Sequence, residues 1–370
     1  AHVDSCLYHG RAGLDFVERL LDGGARVTVP TTSNVGSLDL LHEGVVRLDE
    51  ATRAAARRSM DAYVALGCTP TWTCAPYQLS DRPAFGEHVA WAESNAIVFA
   101  NSVLGARTER YGDFIDVGAA ITGRVPDVGL HTDEGRRATV VVRLEGVGDR
   151  LLAADVLFPV LGHVVGRIAG TEVVAIDGLE ADTPKERLKA LGAAAASSGA
   201  VAMFHAVGST PEAPTLEAAA AASAREAVIT PRDLRAARDE LSPVGEGSPL
   251  RAVSVGTPHA STDELRRLAE LVAARPPHVP LYVNTGRAQL AGAGDVASDL
   301  ADVGVTVVTD TCTYVTPILG GRGPVMTDSG KWAWYAPSNL GVDVALGSLE
   351  ECVRSAAAGR VVRDDGLWAS

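Results

Sequence analysis

Apolar positions recur along the chain in two alternating rhythms. Leu14, Val17, Leu20 and Leu21 share one helical face, and Gly23-Gly24 supplies the stop. Ala25–Val29 then alternates as a strand does. Leu48–Leu66 returns to helical spacing, Thr69–Thr73 is a short β-prone run, and His88–Leu104 predicts a helix closed by Gly105. Ala138–Leu144, Glu172–Ile176 and Val201–Val207 read as strands. Thr183-Pro184-Lys185-Glu186 has the form of a capping box, and Thr230-Pro231-Arg232-Asp233 is a looser copy. The last third repeats the unit: Ala252–Val255, a helix from Ser261 with Glu264 three residues on, Pro280–Val283, a helix near Asp295–Leu300, then Val305–Val308. Strands alternating with helices imply parallel βαβ units and hence an α/β fold. The Ala-rich stretch Pro211–Ala227 is expected to be surface helix and linker. The loop Ser242–Pro249 marks a break, giving expected units at 1–135, 136–245 and 246–370.

Composition narrows the function. A formal charge of −13 over 370 residues argues against a general nucleic-acid binder, which needs a basic footprint. Ala190–Pro211, the longest uncharged run, is too weakly apolar to span a bilayer. Five irregularly spaced cysteines make no disulfide framework and suit a reducing, cytoplasmic setting. Lysine is confined to Lys185, Lys189 and Lys331, which draws attention to the one in a Gly-containing loop, Lys331. The chain opens at Ala1-His2-Val3-Asp4 without a Met, which reads as a start inside a structured region.

Open α/β sheets bind ligands outside the carboxyl ends of their strands. The expected strand ends here carry Cys74-Ala75-Pro76-Tyr77, Gly256-Thr257-Pro258-His259, Asn284-Thr285-Gly286-Arg287, Asp310-Thr311-Cys312 and Asp328-Ser329-Gly330-Lys331. A free cysteine is ordinarily a small buried hydrophobe. Two in polar strand-end loops weaken that reading. No Cys-x-x-Cys spacing points to structural zinc, whereas separated thiolates can hold an iron–sulfur cluster. A nucleophilic cysteine with His259 as base is the other chemical option. Asn95 and Ser102 share a helix face, with Asn101 beside them, either as internal hydrogen bonds or as a ligand-facing stripe. Arg107 is one of two guanidiniums in the loop Gly105–Gly112, suited either to binding a carboxylate or phosphate or to a surface salt bridge.

Together these segments resemble the large-subunit catalytic domain of the aconitase X family. The resemblance runs through Pro30-Thr31-Thr32-Ser33-Asn34-Val35-Gly36, Thr73-Cys74-Ala75-Pro76-Tyr77, Gly86–Ala96, Ala100–Thr108, Gly129-Leu130-His131, Asp310-Thr311-Cys312, Ser329-Gly330-Lys331 and Gly347–Cys352. It implies an aconitase-like fold, with several α/β/α units and mostly parallel sheets around a central cleft. It implies a dehydratase of cis-3-hydroxy-L-proline, favoured by Arg110–Asp116, or of mevalonate 5-phosphate. It also implies an iron–sulfur cluster, 2Fe-2S or 4Fe-4S, on Cys74, Cys312 and Cys352. Cys6 and Cys68 are left structural. Lys331, Ser329 and Arg107 are the implied catalytic groups. Thr32, Asn34, Asn95, Asn101, Ser102 and His259 are the implied substrate contacts, the amides holding a carboxylate. A catalytic serine would come from a small swivelling subunit or fused domain. A cluster-free binding or scaffold chain is the non-enzymatic alternative.

Overall fold

The computed structural model describes residues 1–368. Its first unit is mostly helix and loop around two short parallel strands, β1 (His2–Val3) and β2 (Thr32–Ser33). The helix Arg11–Asp22 buries Leu14 and Val17 against the helix Glu50–Ala65, which Asp49 caps by accepting from the Thr52 amide at 2.9 Å. The expected strand at Ala25–Val29 does not form. Its amides pair instead with helix ends: Val27 N donates to Leu66 O and Thr28 N to Ala120 O, both at 2.9 Å. The alternation is present, but no neighbouring strand is there to meet it.

The second unit is a parallel sheet of β3 (Ala138–Leu144), β4 (Val174–Asp177), β5 (Phe204–Ala206) and β6 (Ala220–Ile229), in the order β5-β4-β3-β6. The Ala-rich stretch expected as helix and linker supplies only a short helix, Leu216–Ala219, and then the whole of β6. Alanine favours helix, yet the open edge of β3 needs backbone partners, and that tertiary demand prevails. The Thr183 capping box is also absent. Its hydroxyl donates to Glu180 O at 2.6 Å, and the next helix starts behind Pro184. The looser copy at Thr230 and Asp233 closes fully, as does Ser261 with Glu264.

The third unit is a five-stranded parallel sheet of β7 (Ala252–Ala260), β8 (Leu281–Thr285), β9 (Val305–Val308), β10 (Val325–Thr327) and β11 (Val344–Leu346). The order β11-β10-β7-β8-β9 reverses direction between β7 and β10, which opens a crevice at their carboxyl ends. The second and third units share one core, in which Leu157, Leu161 and Leu191 meet Trp332, Val344 and Leu346. Among the described residues no helix is long and apolar enough to cross a membrane.

The packing of the helix Leu157–Ala169 on the helix Lys185–Ser198 in that core depends on missing side chains. A Cβ on Gly162 would overlap Leu191 O, and one on Gly166 would overlap Ser198 Oγ, both on the helix Lys185–Ser198. Gly118, also helical, faces open space. Gly162→Ala is expected to destabilise the fold by about 1–3 kcal/mol through overpacking. Gly118→Ala is expected to stabilise it by about 0.5–1 kcal/mol through helix propensity. Urea unfolding of the two variants checks the opposite signs.

Candidate active site

Three groups meet where the first and third units abut. The sulfurs of Cys74 and Cys312 and a ring nitrogen of His259 all lie within 4.8 Å of one another, fully buried. Cys74 follows the loop after Thr69, His259 sits near the end of β7, and Cys312 follows β9. Each is held by its neighbours. Asn95 Nδ2 donates to Cys74 O at 2.9 Å, and Tyr77 Oη donates to Asn95 Oδ1 at 2.7 Å. Gln78 Nε2 donates to His259 O at 2.9 Å, and the His259 amide points at Cys74 Sγ, 3.3 Å away. Asp310 stands two residues before Cys312 in a left-handed conformation, φ 61°. Its fully buried carboxylate accepts Arg287 Nε at 2.5 Å and Nη2 at 2.7 Å, and also the Leu40 amide at 2.9 Å. This carboxylate therefore ties the first unit to the loop that carries Cys312.

The partners of His259 specify its proton. Nε2 lies 3.1 Å from Thr311 O, which can only accept, so Nε2 carries hydrogen. Nδ1 then accepts from the Thr73 hydroxyl at 3.1 Å, while Thr73 Oγ1 takes the Ala75 amide. Burial pushes the imidazole down to about 4, so it is neutral. In this tautomer no ring nitrogen is free to take the Cys312 proton, 3.4 Å away. Serving that thiol as a base therefore requires the other tautomer. The opposite tautomer, with Nδ1–H donating to Thr73, would present Nε2 to a metal.

The thiols differ in character. Burial raises the Cys74 thiol, but the hydrogen bond from Cys312, the charge of Lys331 and the His259 amide outweigh it and bring it below its ordinary value. That same hydrogen bond, with burial, pushes Cys312 well up. Two sulfurs and one imidazole form a soft donor set that suits iron or an iron–sulfur group and not magnesium or calcium. The expected third sulfur is not there. Cys352 sits on the inner face of the helix Leu349–Ala358, in an apolar cluster with Val253, Met326 and Val353. Burial raises its thiol there. The Ser348–Glu351 capping box starts that helix and turns Cys352 into the core. Cys6 and Cys68 lie in the core of the first unit.

Beside the thiols lies a buried ion pair. Lys331 Nζ binds Glu93 Oε1 and lies 3.3 Å from Ser94 Oγ, its charge facing the Tyr314 ring. Burial opposes that charge, yet Glu93, Tyr314 and Cys74 outweigh it and keep the ammonium protonated. Glu93 also caps the helix Ser94–Phe99 by accepting from the Ala96 amide at 2.8 Å, and it holds Asn95 Nδ2. The expected helix from His88 starts only here, because Glu93 supplies its cap. Asn34 Nδ2 donates to Asp4 Oδ1, and Val35 packs with Cys74 and Cys312. Burial, Glu93 and Asp113 push the Asp4 carboxyl up to about 8.

Other expected contacts are placed elsewhere or engaged in structure. Ser329 Oγ accepts from the Trp332 amide at 3.1 Å as a helix cap. Asn101 Nδ2 donates to Thr108 O and Ala202 O, and its Oδ1 accepts from the Thr108 amide and Arg136. Ser102 Oγ accepts from the Phe204 amide at 2.9 Å. Both sit on a π-helical turn, Ala100–Leu104, which aims them at neighbouring backbone. Arg107 bonds His131 O and an exposed Asp133. Thr32 Oγ1 pairs with His2 Nδ1 at 2.8 Å. Asn95 holds the Cys74 loop by its carbonyl. Glu93, Asp4, Asp310 and Arg287 were all visible in the motifs, but nothing in their spacing announced that they converge.

Comparison with known proteins agrees with this architecture. Sequence models of the aconitase X first, second and third domains match residues 1–134, 138–239 and 250–358. The chain is 43% identical over its full length to a cis-3-hydroxy-L-proline dehydratase of Pseudomonas aeruginosa, covering 65% of that protein. It is 41% identical over 97% of its length to a cis-3-hydroxy-L-proline dehydratase of Hypocrea jecorina, covering 62% of that one. It is 34% identical over 94% of its length to the phosphomevalonate dehydratase large subunit of Thermococcus kodakarensis, covering 86% of it. The crystal structure of Thermococcus kodakaraensis aconitase X in its holo form superposes with a TM-score of 0.85 at 33% identity, over 96% of this chain and 88% of that one. With all three domain models matched in order across the chain, it belongs to the aconitase X family.

Proposed function

We propose that this chain forms the catalytic face of a hydro-lyase that converts cis-3-hydroxy-L-proline to Δ1-pyrroline-2-carboxylate. The observation that carries this reading is the buried meeting of Cys74, Cys312 and His259 next to the Lys331–Glu93 pair. Two relatives named as hydroxyproline dehydratases, at 43% and 41% identity, support this substrate over the phosphomevalonate alternative at 34%.

Cys74 and Cys312, with His259 as third donor, would hold an iron or iron–sulfur group, which when bound supplies a Lewis acid for the departing hydroxyl. The chain's own residues do the rest. Lys331 presents a positive charge, fixed in direction by Glu93 and Ser94, to the substrate carboxylate and to the negative charge that grows as the α-proton leaves. The pair is at most 5% exposed, so this charge acts with little screening by water. Asn95 and Tyr77 keep the Cys74 loop in register with it. The α-proton goes to a serine oxygen on a small swivelling subunit or domain. Two observations support an outside base. The Ser329 hydroxyl already caps its own helix, and the phosphomevalonate dehydratase relatives are named as large subunits.

Three outcomes are expected. Protein prepared without oxygen contains iron. Cys74→Ser and Cys312→Ser lose it, while Cys352→Ser retains it, as read by metal and sulfide analysis. An iron-free wild type, co-expressed with its small-domain partner, would overturn the reading. Lys331→Ala keeps its iron but loses about 10²–10³ in kcat on cis-3-hydroxy-L-proline. An unchanged kcat would remove the lysine from the reaction. The wild-type assembly dehydrates cis-3-hydroxy-L-proline in preference to mevalonate 5-phosphate, and the reverse preference would sink the substrate assignment.

A further inference from the structure

We propose that Arg47, Arg251 and the glycine loop Gly320–Gly323 form a binding site for a phosphate-class oxyanion, separate from the thiols. The site stands independently of the hydroxyproline reading.

Arg251 immediately precedes β7, at the amino edge of the third unit's sheet. Its stem runs along the loop. A Cβ on Gly321 would lie 3.4 Å from Arg251 Cδ, and one on Gly323 would lie 3.5 Å from Arg251 Cβ. Arg251 Nη1 donates to Gly321 O. Nε and Nη2 are both buried, and neither has a hydrogen-bond partner. A guanidinium carries five donors, no acceptor and a permanent charge, so buried donors left empty on it call for an acceptor.

Arg47 reaches the same stretch of backbone from the first unit. Its amide donates to Pro317 O at 2.9 Å. A Cβ on Gly320 would overlap Arg47 Nη1 and lie 2.9 Å from its Cζ. One guanidinium therefore lies against Gly320 and the other ends on the carbonyl of Gly321. Among the described residues the guanidiniums of Arg47 and of Arg322, within the loop, bond no acceptor and pair with no carboxylate. The chain has 46 Asp+Glu against 33 Lys+Arg. Elsewhere Arg136, Arg143, Arg238 and Arg287 all find a carboxylate. Arg251 instead faces Arg47 and Tyr282, and burial with the Arg47 charge holds it below the usual guanidinium range. Two like charges flank one peptide, and an anion would relieve both.

The loop supplies further donors. Among the described residues the amides of 319–323 have no protein acceptor. Gly321, φ 76°, and Gly323, φ 122°, are left-handed, while Arg322 between them is not. Alternating hand turns successive amides toward one side, a form that binds anions. A planar carboxylate is matched by a single guanidinium fork. Two forks from different units, with backbone amides between them, fit a tetrahedral oxyanion of higher charge. The thiols and Lys331 lie at the carboxyl edge of the sheet, whereas this loop leads into the amino end of β10. It closes the connection that opens with Cys312, and Ile318 anchors that connection in the first unit's core. An anion held by Arg47 and Arg251 thus binds the first unit to the third at the far end of the Cys312 connection.

The test uses the iron-loaded assembly with its small-domain partner. Calorimetry at constant ionic strength measures binding of inorganic phosphate, glycerol 3-phosphate and acetate. The wild type should bind one of the two phosphates, the tighter of them identifying a free ion or a phosphomonoester as the source, and acetate about tenfold or more weakly. Arg47→Gln and Arg251→Gln should each weaken that phosphate about tenfold to a hundredfold, the range of one charged hydrogen bond. Circular dichroism should show both variants folded. No phosphate binding to the wild type, acetate binding equal to phosphate, or an affinity unaltered in both variants each overturns the inference. So does binding that is lost in Lys331→Ala and kept in Arg47→Gln, which would place the anion at the thiol site. If Arg251→Gln does not fold, Arg47→Gln, a change to an exposed residue, decides alone.

Discussion

A lysine and a glutamate buried against each other set the terms for everything around them. Lys331 comes from the third unit and Glu93 from the first, and neither is more than 5% exposed. Leaving either charge alone in that interior would be destabilising by about 3–5 kcal/mol, so the two units are bound to stay in register. The constraint propagates through hydrogen bonds. Glu93 caps the Ser94–Phe99 helix and holds Asn95, and Asn95 holds the carbonyl of Cys74. A single network therefore places the ammonium, the helix start and the first thiol.

The second thiol reaches the same point by a different route. Parallel strands deliver all their carboxyl-end loops to one edge of the sheet, and the reversal between β7 and β10 opens that edge. His259 arrives there at the end of β7, Cys312 on the loop after β9 and Lys331 just after β10. Asp310 then anchors the Cys312 loop to Leu40 and Gly36 of the first unit through its carboxylate and its carbonyl. The left-handed backbone at Asp310 is held in place by those bonds and by Arg287. The site is thus a seam between two units, closed by buried polar groups.

Several elements were legible in the chain because they obey local rules. Ser261 with Glu264 closes the capping box its spacing announces, and β3 occupies the whole of Ala138–Leu144. The loops bearing Cys74, Cys312, His259 and Lys331 stood out as polar breaks after apolar runs. Cys352 misled because its neighbourhood carries polar signals, Ser348 and Glu351, that belong to a helix cap, while the cysteine itself is turned inward three residues into the helix. Thr183 misled for the opposite reason: the residues of a capping box are present, but Glu180 O offers its hydroxyl a nearer partner. Asn101 and Ser102 announced a polar face correctly, yet the π-helical turn directs it to backbone.

The sequence by itself determined the α/β class, the parallel repeat of strand and helix, and which loops carry reactive side chains, because each follows from periodicity and spacing over a few residues. It also carried the resemblance to aconitase X. Only the tertiary structure decided which groups share a site. Whether Cys352 joins Cys74, whether Asn34 offers a donor or an acceptor, and whether the Ala-rich stretch becomes helix or edge strand all depend on partners distant in the chain. Hydrogen bonding and burial are properties of pairs, and a sequence read residue by residue contains only one member of each.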